Sequence, residues 1–241
     1  AQSSRQFENV YEKLKNANIR AIGIDYPGFG ESDPCGSVPT IRDFAEVVPP
    51  VLDHLGLGTV DVLGHHTGAF AACCLSQQHP SRVGRLILNG YPLRSAEEEA
   101  AKEPRQWVVD QVNAPMHLNG SHIVENWDLR LKSYRASGEE PDAALVTRYV
   151  VDKFQGYAPS WTAFHASLTL DTRAALKKVK HETLLLSNTG DLIFEKCREA
   201  ELLRGDMRAH RIEGGYVDIV DQRPDEWVAA VASFLCQGGP S

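Results

Sequence analysis

No apolar run in this 241-residue chain approaches the roughly 20 residues that a bilayer-spanning helix needs, and no signal peptide opens it. A membrane partner is therefore not expected. A basic block is also lacking: 25 Lys and Arg stand scattered against 32 Asp and Glu, for a net charge of −7, which argues against a nucleic-acid partner. The five cysteines contain no C-x-x-C pair, and their odd number suits no simple disulfide framework. Cys73 and Cys74 are adjacent in an Ala-rich helical stretch and read as small buried thiols, so a reducing cytoplasm is the expected compartment. Low-complexity tracts and internal repeats are absent, and nothing signals an oligomeric state.

What is present suits one globular α/β unit, since a chain of this length with 42% hydrophobic residues can bury a substantial core. Phe7, Val10, Tyr11 and Leu14 form a helical stripe, and Arg20–Asp25 reads as a buried strand. Thr40 is placed to cap a helix running to Leu55, with Pro49-Pro50 expected to kink or divide it. Val60–Leu63 is a short apolar strand, Thr67 to about Gln78 a helix, and Arg85–Asn89 another strand. From 93 to 178 strand character stops, and polar, mostly helical segments take over, broken near Pro104, Pro115, Gly138–Pro141 and Gly156–Pro159. Strands return at Thr183–Ser187 and Ala209–Ile212, with a helix from about Phe194 to Leu203 between them and a last helix from Pro224. Alternating strands and helices predict a mostly parallel sheet covered on both faces, with ligands bound beyond the carboxyl ends of its strands.

Four motifs fall at those ends. Asp25-Tyr-Pro-Gly-Phe-Gly-Glu-Ser-Asp33 is a turn-rich loop, and Gly64-His-His-Thr-Gly68 has the spacing of a nucleophile elbow. Asp191 follows the strand that begins at Thr183, and Gly214-Gly215 precedes the final helices. In this order the motifs resemble the α/β-hydrolase superfamily, most closely its capped epoxide hydrolase, haloalkane dehalogenase and carbon–carbon hydrolase branches. The resemblance implies a core of residues 1–92 and 179–241 with a helical cap at 93–178. It also implies a catalytic triad, of which only the acid, Asp191, stands in place. The nucleophile position holds His66, and the position after the glycine pair, where the family places its base histidine, holds Tyr216. The superfamily further has three strands and a His-Gly oxyanion loop ahead of the helix that Phe7 opens, so these N-terminal strands are expected to be missing and the chain to be a fragment. One missing strand would lie between Arg20–Asp25 and Val60–Leu63.

A serine-type acyl transfer is therefore not available at these positions. Imidazole is substantially neutral near pH 7 and can serve as a general base on water. The expected site is His66 as base, Asp191 as its orienting or neutralising partner, the Thr67 N–H as oxyanion donor and Tyr216 as accessory donor. The Thr67 hydroxyl is expected to cap the helix, and His65 to pack. Adjacent His65 and His66 should diverge on a sharp turn with no third ligand near, so neither a metal nor any cofactor is expected. Gly120-Ser121-His122, Trp127, Trp161 and His165 are candidates to face a small-molecule ligand from the cap. The leading expectation is a hydrolase acting on a small apolar ester, lactone or related carbonyl compound. The alternatives are a non-catalytic small-molecule binder and a lyase or isomerase that needs only proton transfer.

Overall fold

The computed structural model describes residues 2–94, 116–136, 138–156 and 161–236. The expected breaks at Pro104, Pro115 and the 157–159 part of the last one lie outside them. A 3-10 turn over Ser4–Phe7 leads into α1 (Glu8–Asn16), which buries Val10 and Leu14. The helix after Thr40 begins with a capping box, in which the Thr40 hydroxyl accepts from the Asp43 N–H and the Asp43 carboxylate accepts from the Thr40 N–H. It divides at Val47 into α2 (Ile41–Glu46) and α3 (Val48–His54), two residues before the prolines. Pro49 and Pro50 sit in the first turn of α3, where a missing N–H costs nothing.

Then come β1 (Val60–His65), α4 (Thr67–Gln78) and β2 (Val83–Asn89). The described part of the insertion is helical: α5 (Ser121–Ala136), α6 (Ala143–Gln155), α7 (Trp161–Leu168) and α8 (Thr172–Lys178). The chain closes with β3 (Thr183–Asn188), α9 (Phe194–Leu203), β4 (Arg208–Ile212), α10 (Ile219–Gln222) and α11 (Pro224–Cys236).

The four strands form one parallel sheet in the order β1-β2-β3-β4. Side chains alternate across a strand, so β2 sends Leu86 and Leu88 to one face and Ile87 to the other. On the first face they meet Phe44, Phe70 and Leu75 of α2 and α4; on the second, Val10, Trp227 and Phe234 of α1 and α11. With both faces covered, strands read as continuous apolar runs. Cys73 and Cys74 are buried in α4, and burial pushes the Cys73 thiol up to about 12, which leaves it an inert packing group.

One expected strand does not form. Arg20–Asp25 takes no regular secondary structure and is in no strand pairing among the described residues, and Ile22 is exposed. A strand exists only through a ladder with a neighbour, and β1, which has β2 on its paired side, does not reach this segment. Ile24 still packs on the core, while Asp25 accepts from the backbone N–H groups of Ser4 and Glu31.

Candidate active site

Register places the site. Gly64 and His65 of β1 pair with Leu88 and Asn89 of β2, and Asn89 pairs with Leu186 of β3, so the turns that follow all leave one edge of the sheet. His66 occupies the turn between β1 and α4 with φ 49° and ψ −115°, one of two non-glycine residues with positive φ among those described. Such a conformation costs on the order of 1–3 kcal/mol and persists only where surrounding structure imposes it. The imposing contacts are the His66 N–H donating to the Asn89 carbonyl (2.8 Å) and the Ala69 N–H donating to the His66 carbonyl (2.9 Å).

The two elbow glycines are not equivalent. A Cβ on Gly64 would lie 2.1 Å from the Gly68 carbonyl oxygen, whereas one on Gly68 meets nothing within 4 Å. Gly64→Ala is therefore expected to cost about 3 kcal/mol or more, because rigid backbone has to move. Gly68→Ala, inside a helix, is expected to be neutral or to gain about 0.5–1 kcal/mol. Urea midpoints of the two variants check the contrast, and equal losses at both positions would contradict this elbow geometry.

His66 meets Asp191. The imidazole Nε2 lies 2.8 Å from Asp191 Oδ2, joining residues 125 positions apart. Asp191 is 8% exposed at the entry to α9, where its Oδ1 also accepts from the Ile193 N–H. Burial pushes the Asp191 carboxyl up, but the His66 charge, the His66 hydrogen bond and the Ile193 N–H outweigh it, and the net direction is down. An ionised Asp191 can only accept, so the His66 nitrogen facing it, Nε2, bears a hydrogen, and the neutral form of the ring has its lone pair on Nδ1. The ring is one-quarter exposed, and Nδ1 has no hydrogen-bond partner among the described residues.

His65 does not diverge from His66 as expected. The rings lie 4.3 Å apart, tilted by 48°, and only their hydrogen bonds point to different partners. His65 is buried and donates Nε2–H to the Val217 carbonyl (2.9 Å), while its Nδ1 is buried without a partner. Burial and the neighbouring His66 charge depress its pKa to about 4, against the opposing pull of the Val217 bond, Asp191 and Asp218. An unfolded histidine titrates near 6.5, so below that pH the unfolded chain takes up a proton that folded His65 refuses. Stability from this residue is complete above about pH 6.5 and is lost as pH falls toward 4, on the order of 3 kcal/mol in all. Urea midpoints measured from pH 7 to 4.5 should fall, and His65→Phe should flatten that slope; an unchanged slope would remove His65 as its source.

The remaining expected residues fall less simply. Thr67 is the first residue of α4 rather than its cap: the cap position is His66, and no side chain closes the helix end. The Thr67 N–H is thereby one of the donors a helix start leaves free, and it has no acceptor among the described residues. Tyr216 is 5% exposed, and its ring packs on Tyr134 at 5.2 Å. It is bonded to neither His66 nor Asp191. Burial raises its pKa, so the phenol stays protonated. In the insertion, His122 packs edge-on against Phe154, Trp127 is half-buried, and the Trp161 side chain lies outside the described residues. Surface clefts of about 490 and 500 Å³ open beside α1 and along β4–α11, and neither is lined by His66 or Asp191.

Sequence reasoning missed the buried cluster that ties the insertion to the last loop. Asp218 is 1% exposed and takes both the Arg130 guanidinium and the Tyr134 hydroxyl, with Arg130 stacked 3.9 Å over the Tyr149 ring. Arg148 pairs with Asp221, and Glu139 accepts from the Gly215 N–H at 3.1 Å. From the core side, the Asn188 amide donates to the carbonyls of Gly214 and Tyr216. A lone acid inside Val217-Asp-Ile-Val220, and Arg130 and Tyr134 four apart on one helix, were the available signals.

A strained residue between β1 and α4, an acid after β3 and a loop after β4 meeting at one edge of a parallel sheet is the layout that the elbow motif implied. The alpha/beta hydrolase fold family matches residues 1–213. The chain belongs to this family. Over 85 residues it is 35% identical to a 2-hydroxy-6-oxononadienedioate/2-hydroxy-6-oxononatrienedioate hydrolase of Burkholderia vietnamiensis, which is 35% of this chain and 30% of that protein. The Escherichia coli (strain K12) enzyme of that name is 31% identical over 85 residues, again 35% of this chain and 30% of that protein. The match thus spans about a third of the length of these curated relatives. Among solved structures, an esterase from Thermogutta terrifontis superposes with a TM-score of 0.77 at 19% identity, covering 98% of this chain and 86% of that one. The enol-lactonase from Burkholderia xenovorans LB400 gives 0.72 at 16% identity, over 98% and 88%. At these identities the structural likeness shows the fold. Among the described residues, no helix of this α/β-hydrolase is long and apolar enough to cross a membrane.

Proposed function

We propose that this α/β-hydrolase is a cofactor-free enzyme that hydrolyses a small, fairly apolar ester, lactone or related carbonyl compound, with His66 as its base and residues 93–178 as its cap. The observation that carries the reading is the 2.8 Å bond between His66 and Asp191. It orients an imidazole on a strained turn, and backbone strain of this kind clusters at functional sites. The hydrolase names of the curated relatives and the esterase and lactonase among the structural neighbours support the substrate class.

In this reading His66 Nδ1 takes a proton from water as the water oxygen bonds to the carbonyl carbon. The carbonyl electron pair moves onto oxygen, where the Thr67 N–H stabilises it. Collapse of the adduct expels the leaving group, which recovers the proton from His66, and the ionised Asp191 balances the charge carried by the imidazolium in between. Tyr216, held against Tyr134, is the accessory donor to the substrate. The test is an ester and lactone panel in H₂¹⁸O. Turnover with label in the acid product, lost in Asp191→Asn, is expected; turnover that Asp191→Asn leaves unchanged would sink the assignment.

One observation favours a second reading. The loop where the family places its base is occupied by Tyr216 and tied on both sides, an arrangement equally suited to a small-molecule binder. No turnover across the panel with tight binding of one metabolite pool would select it, and turnover without label would select a lyase or isomerase.

A further inference from the structure

The His66 ring rests on backbone. Gly90, the residue after β2, has φ +69°, and its N–H donates to the Leu186 carbonyl (2.8 Å). A Cβ placed on Gly90 would lie 2.7 Å from His66 Cδ2 and 3.0 Å from His66 Nε2. Those two atoms form the ring edge that meets Asp191. Any side chain at position 90 therefore displaces the nitrogen that makes the 2.8 Å bond. The ring has little room to give way, since His65 lies 4.3 Å from its centre and the strained His66 backbone is pinned by its bond to Asn89.

From this we infer that Gly90 is a positioning residue for His66: its missing side chain is the space that lets the imidazole lie flat and reach Asp191. The bearing on catalysis rests on the hydrolase reading above, but the geometric statement does not. Asp191 fixes the direction of the Nε2–H, and Gly90 fixes the depth at which the ring sits, which together set where Nδ1 points. A displacement of the order of 1 Å in a reacting group can lower turnover on the order of 100-fold.

The test compares Gly90→Ala with Gly56→Ala. Gly56 has nearly the same φ, +66°, but a Cβ there meets nothing within 4 Å, so Gly56→Ala carries the backbone strain without the collision. The first readout is the imidazole Nε2–H resonance of His66 in a proton–nitrogen NMR spectrum. It is expected in the parent chain and in Gly56→Ala, and is expected to vanish or exchange rapidly in Gly90→Ala. The second is thermal midpoint in a cycle with His66→Ala: Gly90→Ala should cost more than Gly56→Ala when the ring is present and the same when it is absent. Should Gly90→Ala alone not fold, the double variant His66→Ala/Gly90→Ala should recover the fold, and its failure to do so while Gly56→Ala folds overturns the proposal. A retained Nε2–H signal, or equal midpoint losses with and without the His66 ring, overturns it as well. If a substrate is found, Gly90→Ala should lower kcat on the order of 100-fold with KM little changed. Loss of the resonance in a protein that turns over nothing refutes the hydrolase reading and leaves this one standing.

Discussion

Replacing His66 with alanine is expected to lower turnover of an accepted ester or lactone by about 10²–10⁴-fold, the usual contribution of a positioned general base. On the proposed mechanism the loss should fall on kcat, because there Nδ1 acts on water rather than holding the substrate. Asp191→Asn should come close to the same loss by a different route. An asparagine can turn its NH₂ toward Nε2, which then accepts, and the hydrogen moves to Nδ1 where the lone pair is needed. In the proposed dyad the two residues act as one unit, so His66→Ala/Asp191→Asn should be hardly worse than His66→Ala alone. Added imidazole should restore part of the His66→Ala rate, because the space left opens beside a quarter-exposed ring position. Steady-state rates of the three variants decide the matter. Multiplicative losses in the double variant would mean that His66 and Asp191 work separately, and the dyad would have to be abandoned.

The parts of this site that were legible in the sequence are those with local signatures. The helices expected from Thr67 to about Gln78 and from about Phe194 to Leu203 are local features, and the structure has both, at Thr67–Gln78 and Phe194–Leu203. The elbow is a spacing of five residues, and Asp191 is placed by its position after a strand. The family order then brings His66 and Asp191 to one edge of the sheet, although nothing in the local sequence shows that their side chains meet. Arg20–Asp25 misled for the opposite reason: its central residues have the composition of a buried strand, but strand formation depends on a partner backbone that local pattern cannot report. Gly90 read only as a turn residue, because its second role is defined by a ring 24 positions earlier. Asp218 and Arg130 are 88 positions apart, and their burial is visible only once α5 is laid against the last loop.

That pair carries the largest expected effect on stability. Asp218→Ala leaves the Arg130 guanidinium and the Tyr134 hydroxyl buried without their shared acceptor, at a cost of about 3–5 kcal/mol. Against a total stability of roughly 5–15 kcal/mol, this is a large share. For a chain of this size it corresponds to a fall in Tm of roughly 6–20 °C. The cost comes from stranding a charge rather than from losing an intrinsically strong bond, because desolvating both ions already offsets most of their attraction. Replacing all three partners at once, Asp218→Leu with Arg130→Met and Tyr134→Phe, should therefore recover most of the loss, while no single change should. Function should separate from stability in the recovered variant. The segment from Tyr216 to Asp218 also holds the Val217 carbonyl that fixes His65, and the insertion is held to it through Asp218, so an apolar contact would keep the fold but relax the loop's register against the elbow. The triple variant is expected to regain its Tm yet keep a reduced kcat. Calorimetry and rates on the same preparations test this: full recovery of both would make the cluster a matter of stability alone, and recovery of neither would mean that the charges specify the fold.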